Sequence, residues 1–165
     1  CIALDINLGC SGYVYGLSVM ASLLKTTVAK KGLLLVGDVS SSVISENDKS
    51  TAPIFSDAGS ATLVENSDDE NKIHFSLHND GTGYNAIIIP DGGMKNKISV
   101  SSLKPEKISE GIERNKTHLI MNGVDVFNFS LREVAPDAWN LLDYCGKKIS
   151  DIDYFIFVAG LFNQN

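Results

Sequence analysis

A chain of 165 residues with a net charge of -6, 44% apolar and 21% charged residues has the composition of a folded domain with a core, which excludes disordered and fibrous classes. The acidic balance excludes a general affinity for nucleic-acid phosphates, which needs a concentrated basic face. No apolar run is long enough to cross a bilayer, and the N-terminus lacks the basic, apolar and small-residue order of a signal peptide. A cytoplasmic protein without membrane partners is the expectation.

Residues 1–7, "CIALDIN", are an apolar run ending in polar residues and predict a mostly buried strand. The period then changes. Tyr13, Leu17, Met20, Ala21, Leu24 and Val28 recur on one side of a 3.6-residue helix, which Gly32 is expected to end. "LLLVG" at 33–37 predicts a second buried strand, so the order strand, helix, strand predicts a right-handed parallel crossover. Lys30-Lys31 and Lys147-Lys148 follow helical patterns, where cations complement a helix C-terminus.

Residues 38–53, rich in Ser, Asp and Asn, predict loop. Strands are expected at 60–65 and 72–79, joined by a solvated acidic turn at 66–71. "YNAIIIPDGG" at 84–93 adds an apolar run closed by a turn, and 94–116 reads as a polar connection between two halves of a larger fold. Val124, Phe127, Leu131 and Val134 predict a second amphipathic helix. Pro136 is expected to interrupt it, with a new helix carrying Trp139, Leu142 and Cys145. "DYFIFVAG" at 153–160 predicts a last buried strand.

Cys1, Cys10 and Cys145 form neither a disulfide framework nor a metal-ligand spacing, and no metal site is expected. His74 and His78 share one face of an expected strand, and no third ligand accompanies them. Cys10 is different. It lies between Gly9 and Gly12 at the expected strand-to-helix turn, where unpaired helix amides favour thiolate and are placed to stabilise an oxyanion. The glycines leave room for an acyl substrate and allow tight backbone angles. On the residues alone, a nucleophilic Cys10 and a buried structural cysteine remain equally open.

"DINLGCSGYVYGLSVMASLL", "LLLVGDVSS", "PIFSDAGSATLVE", "IIIPDGG", "MNGVDVFNFSLREV" and "DIDYFIF" together resemble successive landmarks of the β-ketoacyl-[acyl-carrier-protein] synthase III family, within the thiolase superfamily. The resemblance implies an α/β, thiolase-like fold, part of a five-layer αβαβα architecture. Residues 1–93 would be the end of its first half, and 94–165 the connection and start of the second. It implies a condensing enzyme of fatty-acid synthesis that takes an acyl group from acyl-coenzyme A onto Cys10 and condenses it with malonyl-acyl-carrier protein, with no cofactor, as a homodimer. Cys10 matches the nucleophile, and its own amide one oxyanion donor. Ile54, Phe55, Gly123 and Phe127 match positions beside the substrate tunnel, although core packing explains Phe55 and Phe127 nearly as well.

Two departures accompany the match. The family has a catalytic His-Gln-Ala-Asn motif after a strand like "DYFIF", where this sequence has Val158-Ala-Gly-Leu161. The family's Gly-Asn-Thr asparagine lies beyond Asn165. His118, before "LIMNG", lacks a positioned partner and is a poor substitute. Three readings stay open: a piece of a longer enzyme, a deliberately shortened chain, or a natural member that lost condensation. A half-sheet with exposed edges favours the first. A synthase of specialised metabolism and a non-condensing acyl- or carrier-protein-binding paralogue are the alternatives in function.

Overall fold

The computed structural model describes residues 1–68 and 72–156. The chain forms two compact units: Cys1–Asp38, Gly59–His78 and Ala135–Asn165 make one, and Val39–Ala58 with Asn79–Val134 the other. No helix among the described residues is long and apolar enough to cross a membrane.

In the first unit, helix α1 (Gly12–Thr26) packs on strand β1 (Lys31–Asp38), which pairs with β2 (Ala58–Glu65). Lys31 Nζ lies 2.8 Å from Glu65 Oε2 and the Asn66 amide donates to the Lys30 carbonyl, so β1 begins beside the end of β2 and the two run in opposite directions. Gly16 and Gly32 let helix and strand approach. A Cβ on Gly16 would lie 2.8 Å from Leu34 Cδ1, and one on Gly32 would strike Met20 Sδ. Leu24 is buried at this contact.

Several expectations change here. Residues 1–8 form no strand, so the parallel crossover is absent; the segment instead runs beside α1 and β1, and together they line an open cavity of about 740 Å³ with Ile2, Leu4, Ile6, Val19 and Leu34 in its walls. Residues 72–79 are likewise unpaired, as are 153–156, while 157–160 of that last expected strand fall outside the described residues. A strand exists only as half of a ladder, and these segments have no neighbour to complete one among the described residues. The helix ends at Thr27 rather than Gly32, with Val28 almost fully exposed. Lys31 serves β1 rather than the helix terminus, and Lys25 occupies the last turn of α1. Finally, "LLLVG" is covered on one face only: Gly32, Leu34 and Val36 are half-buried, but Leu33 and Leu35 are exposed.

In the second unit, the expected polar connection 94–116 contains a hairpin. Strands β4 (Glu106–Ser109) and β5 (Ile112–Arg114) pair antiparallel through a turn whose Gly111 takes φ +71°, a backbone that favours glycine. Short strands β3 (Ile87–Ile88) and β6 (Ile120–Met121) pair antiparallel, and β6 leads into helix α2 (Gly123–Tyr144).

Helix α2 runs through Pro136 unbroken, contrary to expectation. Proline's fixed φ is helical, and its cost is confined to one missing bond to the Arg132 carbonyl and crowding there; a 22-residue helix absorbs it. The boundary between the two units falls one residue before this proline. The helix stops at Gly146, whose φ of +64° and whose neighbour's amide, Lys147 N bonded to Leu142 O at 2.9 Å, close the end as a left-handed cap.

Candidate active site

Cys10 sits in the turn immediately ahead of α1, as the period change in the sequence predicts, and it is exposed rather than core. The turn closes through Gly12 N to Gly9 O at 2.7 Å, and the helix ladder starts with Tyr15 N to Ser11 O at 3.1 Å. Ser11 caps the end without a side-chain bond. The amides of Cys10, Tyr13 and Val14 therefore have no acceptor among the described residues, and they carry the partial positive charge of a 15-residue helix. A thiol beside open amides has what acyl transfer needs: a nucleophile and donors for the oxyanion it creates.

The glycines flanking Cys10 act through absent bulk alone. Neither has a positive φ, and a Cβ on Gly9 would meet nothing within 4 Å, so the expected tight backbone angles are not used.

The four other sequence-predicted site residues belong to the second unit. Ile54 and Phe55 end a chain of turns after Thr51, whose carbonyl accepts from Ile54 N at 3.0 Å and Phe55 N at 3.3 Å. Ile54 is exposed and Phe55 half-buried. Gly123 opens α2 and Phe127 follows one turn later on the same face, exposed. Asn122 holds that helix start: its carbonyl accepts from Val126 N, its Oδ1 from Asp125 N, and its Nδ2 donates to Asp125 Oδ2 at 2.6 Å.

The segment carrying Ile54 and Phe55 is anchored by residues that sequence reasoning missed. Asp57 accepts from both Ser41 N at 2.8 Å and Ser41 Oγ at 2.7 Å, which closes the loop at its base and holds the carboxyl below its ordinary range. Asp48 is completely buried. Its Oδ2 accepts from Arg114 Nη1 at 2.6 Å, and its Oδ1 from Ser50 N at 2.9 Å and from Ser50 Oγ. Burial pushes the Asp48 carboxyl up, but the bonds from Ser50 and Arg114 together outweigh it and leave the group below its usual value. Two partners 66 residues apart leave no local pattern, and only the acid-base pair itself was a signal.

The histidines have structural partners. His78 Nε2 lies 3.1 Å from Asp137 Oδ1, His74 packs edge-on against Tyr144, and His118 Nδ1 accepts from Asn115 N. No cluster able to hold a metal occurs among the described residues. Residues 158–161, where the family's histidine motif is replaced, lie outside the described residues.

The family model described as 3-oxoacyl-[acyl-carrier-protein (ACP)] synthase III matches residues 4–81, a span that contains Cys10, Ile54 and Phe55. The β-ketoacyl-[acyl-carrier-protein] synthase III of Campylobacter fetus is 31% identical over 155 residues, covering 93% of this chain and 44% of the relative. That of Clostridioides difficile is 28% identical over 154 residues, with 93% and 44% covered. A crystal structure of a 3-oxoacyl-(acyl-carrier-protein) synthase III superposes with a TM-score of 0.87 at 39% identity, over 92% of this chain and 45% of its own. The Burkholderia xenovorans synthase gives 0.78 at 37%, over 93% and 42%. The fold is accordingly α/β and thiolase-like. By sequence and by fold the chain is similar to the 3-oxoacyl-[acyl-carrier-protein] synthase III family, and it spans a little under half the length of the relatives it matches.

Proposed function

We propose that the protein is a condensing enzyme in which Cys10 carries the acyl group, and that it starts fatty-acid synthesis from acyl-coenzyme A and malonyl-acyl-carrier protein. The observation that carries this reading is an exposed thiol in the turn before α1, beside amides that no acceptor among the described residues occupies.

In the first step the Cys10 sulfur attacks the thioester carbonyl carbon, the carbonyl π electrons move to oxygen, and the Cys10 amide donates to that oxygen. Collapse breaks the bond to the coenzyme A sulfur, which leaves with the thiol's proton. In the second step the malonyl thioester loses carbon dioxide, and the electrons of the broken C–C bond attack the acyl carbon on Cys10. A new C–C bond forms and Cys10 leaves as thiolate. Ile54, Phe55, Gly123 and Phe127 line the acyl path in this reading, and the two thiolase-like halves divide the chain near residue 93. A cytoplasmic homodimer completes it.

Intact mass of the full-length protein before and after acetyl-coenzyme A, with the adduct mapped by peptide, tests the first step. One acetyl group on Cys10 supports the reading; an unmodified Cys10 overturns it. A second reading, acylation without condensation, is favoured by Val158 at the place of the family's histidine. Product from malonyl-acyl-carrier protein eliminates it.

A further inference from the structure

The loop that carries Ile54 and Phe55 is held by a buried ionic clasp, and the clasp is connected to those two residues by an unbroken series of backbone bonds. Asp48, on the loop, pairs with Arg114, at the end of β5. The Asp48 carbonyl accepts from Thr51 N at 3.1 Å and Ala52 N at 2.9 Å, and the Thr51 carbonyl accepts from Ile54 N and Phe55 N. Around the clasp the loop is sewn to the hairpin: Lys49 N donates to Gly111 O, Glu113 N to Asn47 O, and Ser45 Oγ to Glu113 O at 2.6 Å. A slip of Arg114 thus moves the turn on which Ile54 and Phe55 are built.

The cost of this arrangement is as informative as its geometry. A buried ion pair is often no more stable than an apolar pair of the same volume, because both ions lose their hydration. Thr51 is completely buried with its Oγ1 unpartnered among the described residues, a further cost. What an ionic clasp adds over an apolar one is a single hydrogen-bonded geometry. We propose that Asp48 and Arg114 are positioning residues that set which acyl group the protein accepts, by fixing Ile54 and Phe55 from behind. The inference rests on the acyl-transfer reading above.

The test is steady-state kinetics of the full-length protein with acetyl- and isobutyryl-coenzyme A, alongside urea midpoints. Arg114→Lys keeps the charge but loses the planar fork. It is expected to change the ratio of kcat/KM for the two substrates by about fivefold or more, mainly through KM. The double replacement Asp48→Leu with Arg114→Met, which removes both charges, is expected to keep stability while the ratio stays altered. Ser102→Ala supplies the structural control: Ser102 is equally buried in the same unit and donates to Asp91 Oδ2 at 2.7 Å, so its loss lowers the urea midpoint and leaves the ratio unchanged.

A ratio unmoved by Arg114→Lys, or moved as much by Ser102→Ala, overturns the inference. Ile54→Ala separates the two levels of the argument. If it shifts the ratio and Arg114→Lys does not, only the clasp's role fails. If wild-type Cys10 is not acylated, or Ile54→Ala shifts nothing, the parent reading fails and takes this inference with it.

Discussion

The two units are built on opposite principles. Among the described residues, the first buries one large hydrophobic side chain, Leu24, and no polar one; the second buries Ser45, Asp48, Thr51 and Ser102, and no large hydrophobic one. Apolar faces such as the Leu33 and Leu35 side of β1 are satisfied only by whatever packs on them, and this chain spans less than half of its relatives. A polar cluster is different, because its hydrogen bonds close within a few short segments. The polar cluster of the second unit is therefore closed within itself, whereas the apolar faces of both units, Leu33 and Leu35 on β1 and Phe127 and Leu131 on α2, stay open.

The largest effect expected is at the Cys10 end of the first unit. Cys10→Ala should abolish the acyl adduct entirely and leave the urea midpoint unmoved, because the side chain is exposed and makes no bond among the described residues. Intact mass and unfolding curves on the same sample check both halves. A lost midpoint would make Cys10 structural and remove the contrast between an open reactive turn and a locked loop.

Arg114→Ala comes next, with a loss of about 3–5 kcal/mol by urea unfolding, since Asp48 is left as an unpaired buried charge. The same pair predicts a pH dependence. Its carboxyl titrates lower in the folded protein than in the unfolded chain, so its stabilisation is fully present above about pH 4 and fades as pH falls through the folded value. Asp48→Asn should flatten that part of the acid limb of stability against pH. An unchanged limb would mean that the clasp is not ionic.

Leu35→Ala probes the open face. In the full-length protein it should cost about 2–3 kcal/mol, as a side chain covered by further packing does. A cost within about 0.5 kcal/mol would mean that the face stays in water there, and that the first unit's openness is its working state.

These contrasts also explain what could be read from the residues. The start of helix α1 and the turn at Cys10 were legible because the change to a 3.6 period is local, and β1 because its apolar run is continuous, whereas Gly32 misplaced the end of the helix. Residues 1–7 and 72–79 misled, since an apolar pattern signals the wish for a partner and not the partner's presence. Pro136 misled for the opposite reason: a breaker costs one bond, and neighbouring helix-forming residues outvoted it. The hairpin at 106–114 hid in a polar stretch, where Gly111 was the one local clue, and the Asp48–Arg114 clasp hid in sequence distance.

The smallest effect tests whether the first unit, open as it is, still has a tightly packed joint. Gly16→Ala gains helix propensity of up to about 1 kcal/mol, because alanine loses less backbone freedom than glycine. Against this, the new Cβ would lie 2.8, 3.5 and 3.7 Å from Leu34 Cδ1, Cδ2 and Cγ, so the whole branched end must turn away and not merely its tip. Overpacking of that kind costs about 1–3 kcal/mol, and the net expectation is a loss of about 1 kcal/mol. Gly9→Ala, with nothing within 4 Å, should cost next to nothing and serves as the reference. A gain in stability at Gly16 would mean that α1 rides loosely on β1, so that the helix that Cys10 immediately precedes is positioned by something other than this strand.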